Sequence, residues 1–356
     1  MNKTIIKALV IAIPLTLAGI SCKKDKTTNT NTDSETLKKE ILSDVSNKVC
    51  KESYEDMYTK SLALLASVET LNTTTNDANL AISQAKWKDM RTTWEQTEAW
   101  LFGPIAAEEI DPRIDTWPVD FNALEDILSS DDDLTEAYVD DLEESLKGFH
   151  PIEYLLWGQN GTKAAASFTP REKEYLLSLT QNLVKLTKEV RDIWTTGGYT
   201  QELALAGQGS TEFTTRVAAY VQIVDAMAGI CEEVATGKIK EPFDAADAGL
   251  EESPFAKNSL TDFTNNIKGV LAAYQGRFIN DGKGLEDLVR ANNLSLDAEV
   301  KAKHAAAIAA LADITVPFGD AITTQQSKVQ NAMDKIGDLQ VTLETKLKPF
   351  LQQYAK

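Results

Sequence analysis

Histidine is almost absent from this sequence. Its 356 residues include only His150 and His304, which lie far apart along the chain. A zincin metalloprotease needs H-E-x-x-H, with two histidines on one helical turn, and an α/β-hydrolase needs G-x-S-x-G around its nucleophile. The sequence contains neither motif. These two common kinds of hydrolytic site are therefore excluded.

Two further shortages narrow the class of protein. Methionine occurs five times, so a copper site built from thioethers is not expected. Lysine and arginine number 36 against 54 acidic residues, which gives a formal net charge of −18. Such a surface repels nucleic acid, so we expect no nucleic-acid partner. Hydrophobic residues at 43% and charged residues at 25% are nevertheless typical of a globular protein.

The N-terminal apolar run, ALVIAIPLTLAGI, is too short to span a bilayer comfortably. Because it follows Lys3 and Lys7, residues 1–21 are predicted to be a signal peptide. The cysteine after Gly-Ile-Ser is typical of a bacterial lipoprotein, with Cys22 as the lipidated first residue; an ordinary secretory signal with a chance cysteine is the alternative. The polar segment 22–35 predicts a flexible tether. We therefore expect a protein anchored by lipid in the bacterial cell envelope, at the outer membrane, on its periplasmic or surface face.

Cysteine is scarce, with only two residues besides Cys22. Export makes these two, Cys50 and Cys231, candidates for a disulfide. The sequence does not show whether they meet, so two free buried thiols remain the alternative.

The patterned segments of the chain are helical. Apolar residues recur at three- and four-residue steps through 37–71 and again from about 80 to 101. The segment 103–120 holds three prolines and five acids and predicts a long loop. Further helices are expected at 120–129, 133–147, 169–194, 211–236, 259–275, 284–292, 295–313 and 318–350. The helix at 169–194 is expected to begin with a capping box, because Thr169 is followed three residues later by Glu172.

No stretch of useful length alternates apolar and polar residues, so the sequence predicts an all-α fold. We expect two helical-bundle-like halves packed together, with an N-terminal domain at 36–200 and a C-terminal domain at 201–356. All six tryptophans lie between residues 87 and 194. They indicate either aromatic packing in one core or a difference of function between the halves.

The scarce His150 lies in the stretch GFHPIEYLLWG. On a helix, residues three apart are neighbours, so His150 and Glu153 could bind one metal ion through nitrogen and oxygen. Pro151 supports a second interpretation, because the residue before a proline is steered away from helical geometry. His150 would then be the N-cap, and Glu153 would stabilise the helix start. The other histidine, His304 in KAKHAAAIAAL, is expected at the surface of an alanine-rich helix.

Longer stretches of the sequence resemble a known family. GFHPIEYLLWG fits the G-x-H-x-x-E signature of the imelysin family at Gly148, His150 and Glu153. Three further blocks are similar and occur in the family's order. They are AKWKDMRTTWEQTEAWLFGP at 85–104, DPRIDTWPVD at 111–120 and ESPFAKNSLTDFTNNIKGVLAAYQG at 252–276.

The resemblance implies an exported, all-helical protein with a functional site between two halves. Imelysin-like proteins are named after an insulin-cleaving membrane protease, and many are classed as peptidases. Related members belong to bacterial iron-uptake systems, in which the H-x-x-E pair is proposed to bind metal. Carried over residue by residue, the resemblance implies that His150, Glu153 and Glu98 are metal ligands. It also implies supporting or binding roles for these residues: Arg91, Asp120, Ser259 and Asp262.

The residues outside the H-x-x-E pair also have structural interpretations. Arg91 and Glu98 are seven apart on one helix and could both face solvent. Asp120 could cap the helix that follows it. Ser259 could cap the next predicted helix, with Asp262 in its first turn.

One imidazole among carboxylates suits iron or manganese better than a metal that prefers thiolates, so iron is the expected ion and zinc the alternative. The main hypothesis is a metal-binding envelope lipoprotein that serves iron or haem acquisition. An outer-membrane iron or haem transport component is its candidate partner. A metallopeptidase of the imelysin class is the first alternative. The second is a non-enzymatic envelope adaptor, in which G-x-H-x-x-E holds the two halves together through hydrogen bonds.

Overall fold

The computed structural model describes residues 29–356, with side chains from residue 34 onward. The predicted signal peptide, Cys22 and the first part of the predicted tether lie outside the described residues. The first helix begins at Asn29, within the segment that was predicted to be a tether. No β-strand occurs within this range, and the predicted all-α fold is confirmed.

The described residues form eighteen α-helices. The first ten are α1 (Asn29–Asp44), α2 (Glu52–Thr73), α3 (Asp77–Thr97), α4 (Pro104–Ala107), α5 (Ile110–Asp115), α6 (Phe121–Ser129), α7 (Glu136–Asp140), α8 (Phe149–Trp157), α9 (Pro170–Trp194) and α10 (Tyr199–Ala204). The other eight are α11 (Arg216–Glu232), α12 (Lys240–Ala245), α13 (Ser259–Gln275), α14 (Leu285–Asn292), α15 (Leu294–Ala312), α16 (Phe318–Thr324), α17 (Gln326–Thr342) and α18 (Lys348–Tyr354). Single π-helical turns extend three of them, at Val45–Lys51, Glu233–Lys238 and Leu343–Leu347.

The predicted loop 103–120 is wrong, because it contains the short helices α4 and α5. Pro104 is the first residue of α4, and Pro112 lies in the first turn of α5. Backbone N–H groups in a first turn have no partner within the helix, so proline is tolerated there. The predicted helix 133–147 shortens to α7 followed by a 3₁₀ turn, and the predicted helix 318–350 is divided into α16, α17 and α18.

The longest helix, α9, begins at the expected capping box. The Thr169 hydroxyl accepts the Glu172 N–H at 3.1 Å, and the Glu172 carboxylate accepts the Thr169 N–H at 2.8 Å. Its buried apolar residues follow the helical period and include Leu176, Leu179, Leu183, Leu186 and Val190. This stripe packs against α2, which in turn packs against α3.

The first and second parts of the chain meet where α3 crosses α13. Gly269 allows that close approach, since a Cβ there would lie 2.3 Å from the Gln96 carbonyl oxygen. Helix α13 also packs against α11 and α15, and α15 packs against α17. The N-terminal helix α1 contacts the second part too, because the Tyr220 hydroxyl donates to the Lys38 carbonyl oxygen at 2.9 Å. A boundary between two domains near residue 200 stays a prediction.

Two other predictions from the sequence are tested by burial. Cys50 and Cys231 are buried and free, so they do not form the disulfide considered as one alternative. His304 is only 8% exposed, and its Nε2 lies 3.1 Å from the Ile267 carbonyl oxygen. The expected surface position of His304 is therefore wrong, because α15 packs against both α13 and α17. Within the described part of the chain, no helix combines the length and apolarity needed to cross a bilayer.

Candidate functional site

Gly148, the first residue of the motif, begins α8. Its φ is 79°, and a Cβ at this position would lie 2.1 Å from the Ile114 carbonyl oxygen, so only glycine fits. Because Gly148 is the N-cap, the interpretation of His150 as the N-cap is wrong. Pro151 lies in the first turn of the helix, where its missing N–H leaves no bond unmade.

The imidazole of His150 has no exposed surface, and both of its nitrogens face carboxylates. Nδ1 lies 3.5 Å from Glu153 Oε2. Nε2 lies 3.1 Å from Asp115 Oδ1 and 4.0 Å from Glu252 Oε1, but no group within residues 34–356 is aligned to form a hydrogen bond with it. The Trp117 ring packs against the imidazole with its centroid 4.9 Å away. A buried nitrogen without a hydrogen-bond partner therefore points at two carboxylates.

Asp115, His150 and Glu252 together could hold a metal ion, and we call them the metal cluster. One ligand atom from each residue lies within 4.8 Å of the other two. Metal–ligand bonds of about 2.0–2.2 Å place neighbouring octahedral ligands roughly 3 Å apart and opposite ligands roughly 4 Å apart. The distances from His150 Nε2 to the two carboxylate oxygens, 3.1 and 4.0 Å, fit this geometry.

Arg91 holds the carboxylates around the metal cluster. Its side chain is fully buried, so the interpretation of Arg91 as a solvated residue is wrong. The guanidinium contacts Glu95 and Asp115 directly and lies 2.8 Å from Glu252 Oε1. Its Nε lies 3.8 Å from Asp262 Oδ1. One fixed cation thus orients two residues of the metal cluster.

Two tryptophans also position the site. The Trp94 Nε1–H donates to Asp115 Oδ2 at 2.6 Å, which leaves Oδ1 facing His150. The Trp87 Nε1–H donates to the Phe149 carbonyl oxygen at 3.1 Å, in the first turn of α8. The concentration of tryptophan in this part of the sequence therefore reflects both core packing and support of the site.

The predicted ligand Glu153 lies at the other ring nitrogen. Its Oε1 accepts the Ala256 N–H at 2.7 Å, and its Oε2 faces His150 Nδ1. A carboxylate in this position fixes the orientation of the ring and which of its nitrogens carries a proton. Glu153 thus links α8 to the segment that carries Glu252.

The predicted ligand Glu98 lies one step away from the metal cluster. Lys238 Nζ lies 3.0 and 3.1 Å from the two oxygens of Glu98 and 3.3 Å from Glu252 Oε1. Asn266 also donates to Glu98. Burial raises the pKa of Glu98 well above its usual range, although Lys238 opposes the shift. The structure therefore connects Glu98 to Glu252 through a lysine and does not bring it to His150.

Ser259 and Asp262 fix the loop that carries Glu252. The Ser259 hydroxyl donates to Glu251 Oε2 at 2.7 Å and accepts the Ser253 N–H at 3.0 Å. Asp262 Oδ2 accepts the Ser253 hydroxyl at 2.7 Å. Ser259 is not the cap of α13, because it already lies in the first turn.

Asp120 is the one predicted site residue that lies apart from this network. It is exposed and caps α6, where its side chain accepts the Ala123 N–H at 3.1 Å. The structural interpretation of Asp120 is the one observed.

The charges of the metal cluster depend on one another. Burial alone would lower the pKa of His150, but Asp115 and Glu153 raise it to about 9. Burial opposes the ionisation of Asp115, yet Arg91 and His150 hold its pKa well below its usual range. Burial likewise opposes ionisation of Glu252, but neighbouring cations lower its pKa. Ionised carboxylates therefore surround a protonated ring, and the ring must lose its proton before Nε2 can bind a metal.

An acidic cavity of about 230 Å³ leads to the metal cluster. Besides Asp115 and Glu252, its lining includes the acids Glu98, Asp111, Glu233 and Glu241, with one cation, Lys238. Burial, together with the nearby Asp115, raises the pKa of Asp111 to about 7. The acids outnumber the one lysine in this lining, so the entrance favours cations over anions when those acids are ionised.

Asp115 and Glu252 were not predicted from the sequence, although both lie within blocks that resemble the imelysin family. Asp115 is one of the acids of DPRIDTWPVD, and Glu252 is the first residue of ESPFAKNSL. The available signal was the presence of an acid in each block. Which acid faces His150 depends on how α5, α8 and the segment before α13 pack, and the sequence does not show this.

Comparisons with known proteins agree on one family. The imelysin family, Peptidase_M75, matches residues 51–343. Iron-regulated protein A of Synechococcus elongatus is 28% identical over 309 residues, which cover 84% of this chain and 83% of that protein. A crystal structure from Parabacteroides distasonis, described as an iron-regulated protein A precursor, has a TM-score of 0.81 at 24% identity and covers 90% of this chain and 96% of its own. An imelysin-like protein from Psychrobacter arcticum has a TM-score of 0.73 at 16% identity over 89% of this chain and 96% of its own.

Proposed function

Because the chain belongs to the imelysin family, we propose that it binds one metal ion through Asp115, His150 and Glu252 and serves iron acquisition in the cell envelope. The observation that carries the proposal is the His150 Nε2 atom. It is buried, has no aligned hydrogen-bond partner in the described part of the chain, and lies 3.1 Å from a carboxylate oxygen of Asp115 and 4.0 Å from one of Glu252. The name of the Synechococcus relative, an iron-regulated protein, supports a connection with iron.

The donor atoms favour iron or manganese over other transition metals. One imidazole nitrogen and two carboxylates suit these harder ions, whereas a thiolate-seeking ion would find no sulfur among the three residues. Zinc, which usually takes more nitrogen ligands at catalytic sites, is the alternative. Asp115 and Glu252 replace Glu153 and Glu98 in the proposed ligand set, and Glu153 orients the ring from Nδ1.

The cargo that best fits the entrance is a bare ion. Haem carries two propionate carboxylates, which the acids lining the cavity would repel. We propose that lipid on Cys22 holds the protein at the bacterial outer membrane, on its periplasmic or surface face. An iron or haem transport component of that membrane is the proposed partner.

Metal titration of the purified protein tests the ligand set. Ferrous, manganous and zinc ions are added under anaerobic conditions, and binding is followed by calorimetry and elemental analysis. We expect one ion per chain, with binding abolished in His150→Ala and weakened by at least about tenfold in Asp115→Asn and Glu252→Gln. Asp120→Asn is the matched control, because that exposed carboxylate only caps α6. A folded protein that binds none of these ions would overturn the proposal, and a large loss of stability in His150→Ala would then favour the adaptor.

A metallopeptidase is the second candidate function. It is supported by a cleft of about 440 Å³, whose lining includes Trp117. Phe121, Pro254 and Phe255 supply an apolar lining, and Glu251 lies beside them. Burial raises the pKa of Glu251 to about 7, a value that suits a general base near neutral pH. Peptide cleavage that is sensitive to chelators and lost in both His150→Ala and Glu251→Gln would support this function. Absence of turnover with the metal bound would exclude it.

A further inference from the structure

Lys238 places a second buried cation next to the metal cluster. It is the last residue of the π-helical turn Glu233–Lys238, and its side chain is 9% exposed. Its Nζ lies 3.0 Å from Glu98, 3.3 Å from Glu252, 3.7 Å from Glu95 and 3.9 Å from Glu233. Four carboxyl groups thus lie within 4.0 Å of this ammonium, and one of them is Glu252 of the metal cluster.

One carboxylate oxygen has to serve several cations. Glu252 Oε1 lies 4.0 Å from His150 Nε2, 3.3 Å from Lys238 Nζ and 2.8 Å from the Arg91 guanidinium. A metal ion bound by Glu252 would therefore be repelled by two resident cations. Arg91 is fully enclosed by protein, whereas Lys238 lines the cavity, so Lys238 is the cation with room to move.

Glu233 is a second carboxylate that the Lys238 side chain can pair with. Glu233 lies 3.9 Å from Lys238 Nζ, and its side chain is 57% exposed at the mouth of the cavity. A lysine side chain is a flexible four-carbon stem with a compact charge. Rotation of that stem can move the ammonium from Glu252 toward Glu233 while it stays close to a carboxylate throughout.

We propose that Lys238 is a resident counter-cation, which an incoming metal ion displaces from Glu252 toward the mouth of the cavity, and that it sets the affinity and charge selectivity of the site. This inference rests on the proposed metal site. A monovalent ion gains no more from these carboxylates than the tethered ammonium does, so it cannot replace the lysine efficiently. A divalent or trivalent ion gains more from the same carboxylates and can replace it.

The test is a manganous ion titration of Lys238→Met beside Lys240→Met, at one pH and one ionic strength. Lys240 is a matched control, because it lies two residues further on and is paired with Asp244 on the exposed surface. We expect Lys238→Met to bind manganese at least about tenfold more tightly than the parent protein and Lys240→Met to stay within about twofold. Unchanged or weaker binding in a folded Lys238→Met variant, with normal binding by the parent, would overturn this inference alone. Absence of binding by both proteins would overturn the proposed metal site together with it.

A double variant covers the case in which the single one does not fold. Glu98→Gln with Lys238→Met removes the lysine and its nearest carboxylate together, and the new amide can still contact Asn266. We expect the same gain in affinity over Glu98→Gln alone. A double variant that folds but shows no gain would mean that Lys238 does not compete with the metal.

Discussion

The two histidines of this protein are both buried, yet their surroundings differ completely. Asp115, Glu153 and Glu252 lie around His150, and its Nε2 has no aligned hydrogen-bond partner among the residues that the structure describes. His304 lies on an alanine-rich helix and has one neutral partner, the Ile267 carbonyl oxygen. Accordingly, the pKa of His150 is raised to about 9 by its carboxylates, against the effect of burial, whereas burial lowers the pKa of His304. At two buried histidines, the groups that share the buried space therefore decide the direction of the pKa shift.

The largest expected effect is the loss of stability when the buried charge network around His150 loses Arg91. Arg91→Leu leaves Asp115, Glu252 and neighbouring acids buried without their cation, so it should reduce the free energy of unfolding by about 3–5 kcal/mol. The exposed Arg277→Leu should change it by less than about 0.5 kcal/mol. Chemical denaturation monitored by circular dichroism measures both. Equal effects of the two substitutions would show that the buried charge network does not stabilise the fold.

Thermal stabilisation by a bound metal ion should depend on His150 and not on His304. A ligand that binds only the folded state at a hundred times its dissociation constant stabilises it by about 2.7 kcal/mol. Manganese should therefore raise the melting temperature of the parent protein and of His304→Gln, but not that of His150→Gln. Scanning calorimetry with and without the ion provides the measurement. Protection of His150→Gln would mean that the ion binds somewhere else.

The backbone before His150 is a third difference, because nothing comparable constrains His304. Gly148→Ala would place a methyl group against the Ile114 carbonyl oxygen at positive φ, and we expect a loss of about 2 kcal/mol. Gly237→Ala is the control, since a Cβ there would contact nothing within 4 Å. Urea denaturation of both variants measures the difference. A Gly148→Ala variant as stable as its parent would show that α8 can begin in another way.

The pH dependence of stability is expected to have opposite signs at the two histidines. The pKa of His304 is lowered on folding, so the unfolded chain takes up the proton first and stability is lost as pH falls below about 6.5. The pKa of His150 is raised, so the metal-free protein loses stability as pH rises from about 6.5 through about 9. One titrating group changes stability by at most about 1.4 kcal/mol per pH unit.

Unfolding curves between pH 5 and 10 measure both slopes. His304→Gln should flatten the slope of stability against pH on the acid side, because it removes the titrating ring while its amide can still donate to the Ile267 carbonyl oxygen. His150→Gln should flatten the slope on the alkaline side. If both variants kept the parent slopes, other groups would have to account for the pH dependence.

Sequence patterns predicted the local features of the fold well. These features depend on interactions within a few residues, and the structure contains them: the capping box at Thr169, the helical periodicity of α2 and α9, and the motif glycine at 148. The loop predicted at 103–120 is wrong because its prolines were interpreted as helix breakers. Each proline can either interrupt a helix or occupy its first turn, and the choice depends on what surrounds the segment.

By itself, the sequence determined the all-helical class and the family, because these rest on local periodicity and on motifs that can be read directly; it also singled out His150 as a candidate site residue. Only the tertiary structure decided that Asp115 and Glu252 face His150, that Glu98 is held by Lys238 and that Asp120 stays at the surface. The physical reason is that the sequence contains many acids, and only the packing of helices that are distant in the chain decides which of them lie beside His150. In this protein α3 and α13 bring together residues that lie more than a hundred positions apart in the chain.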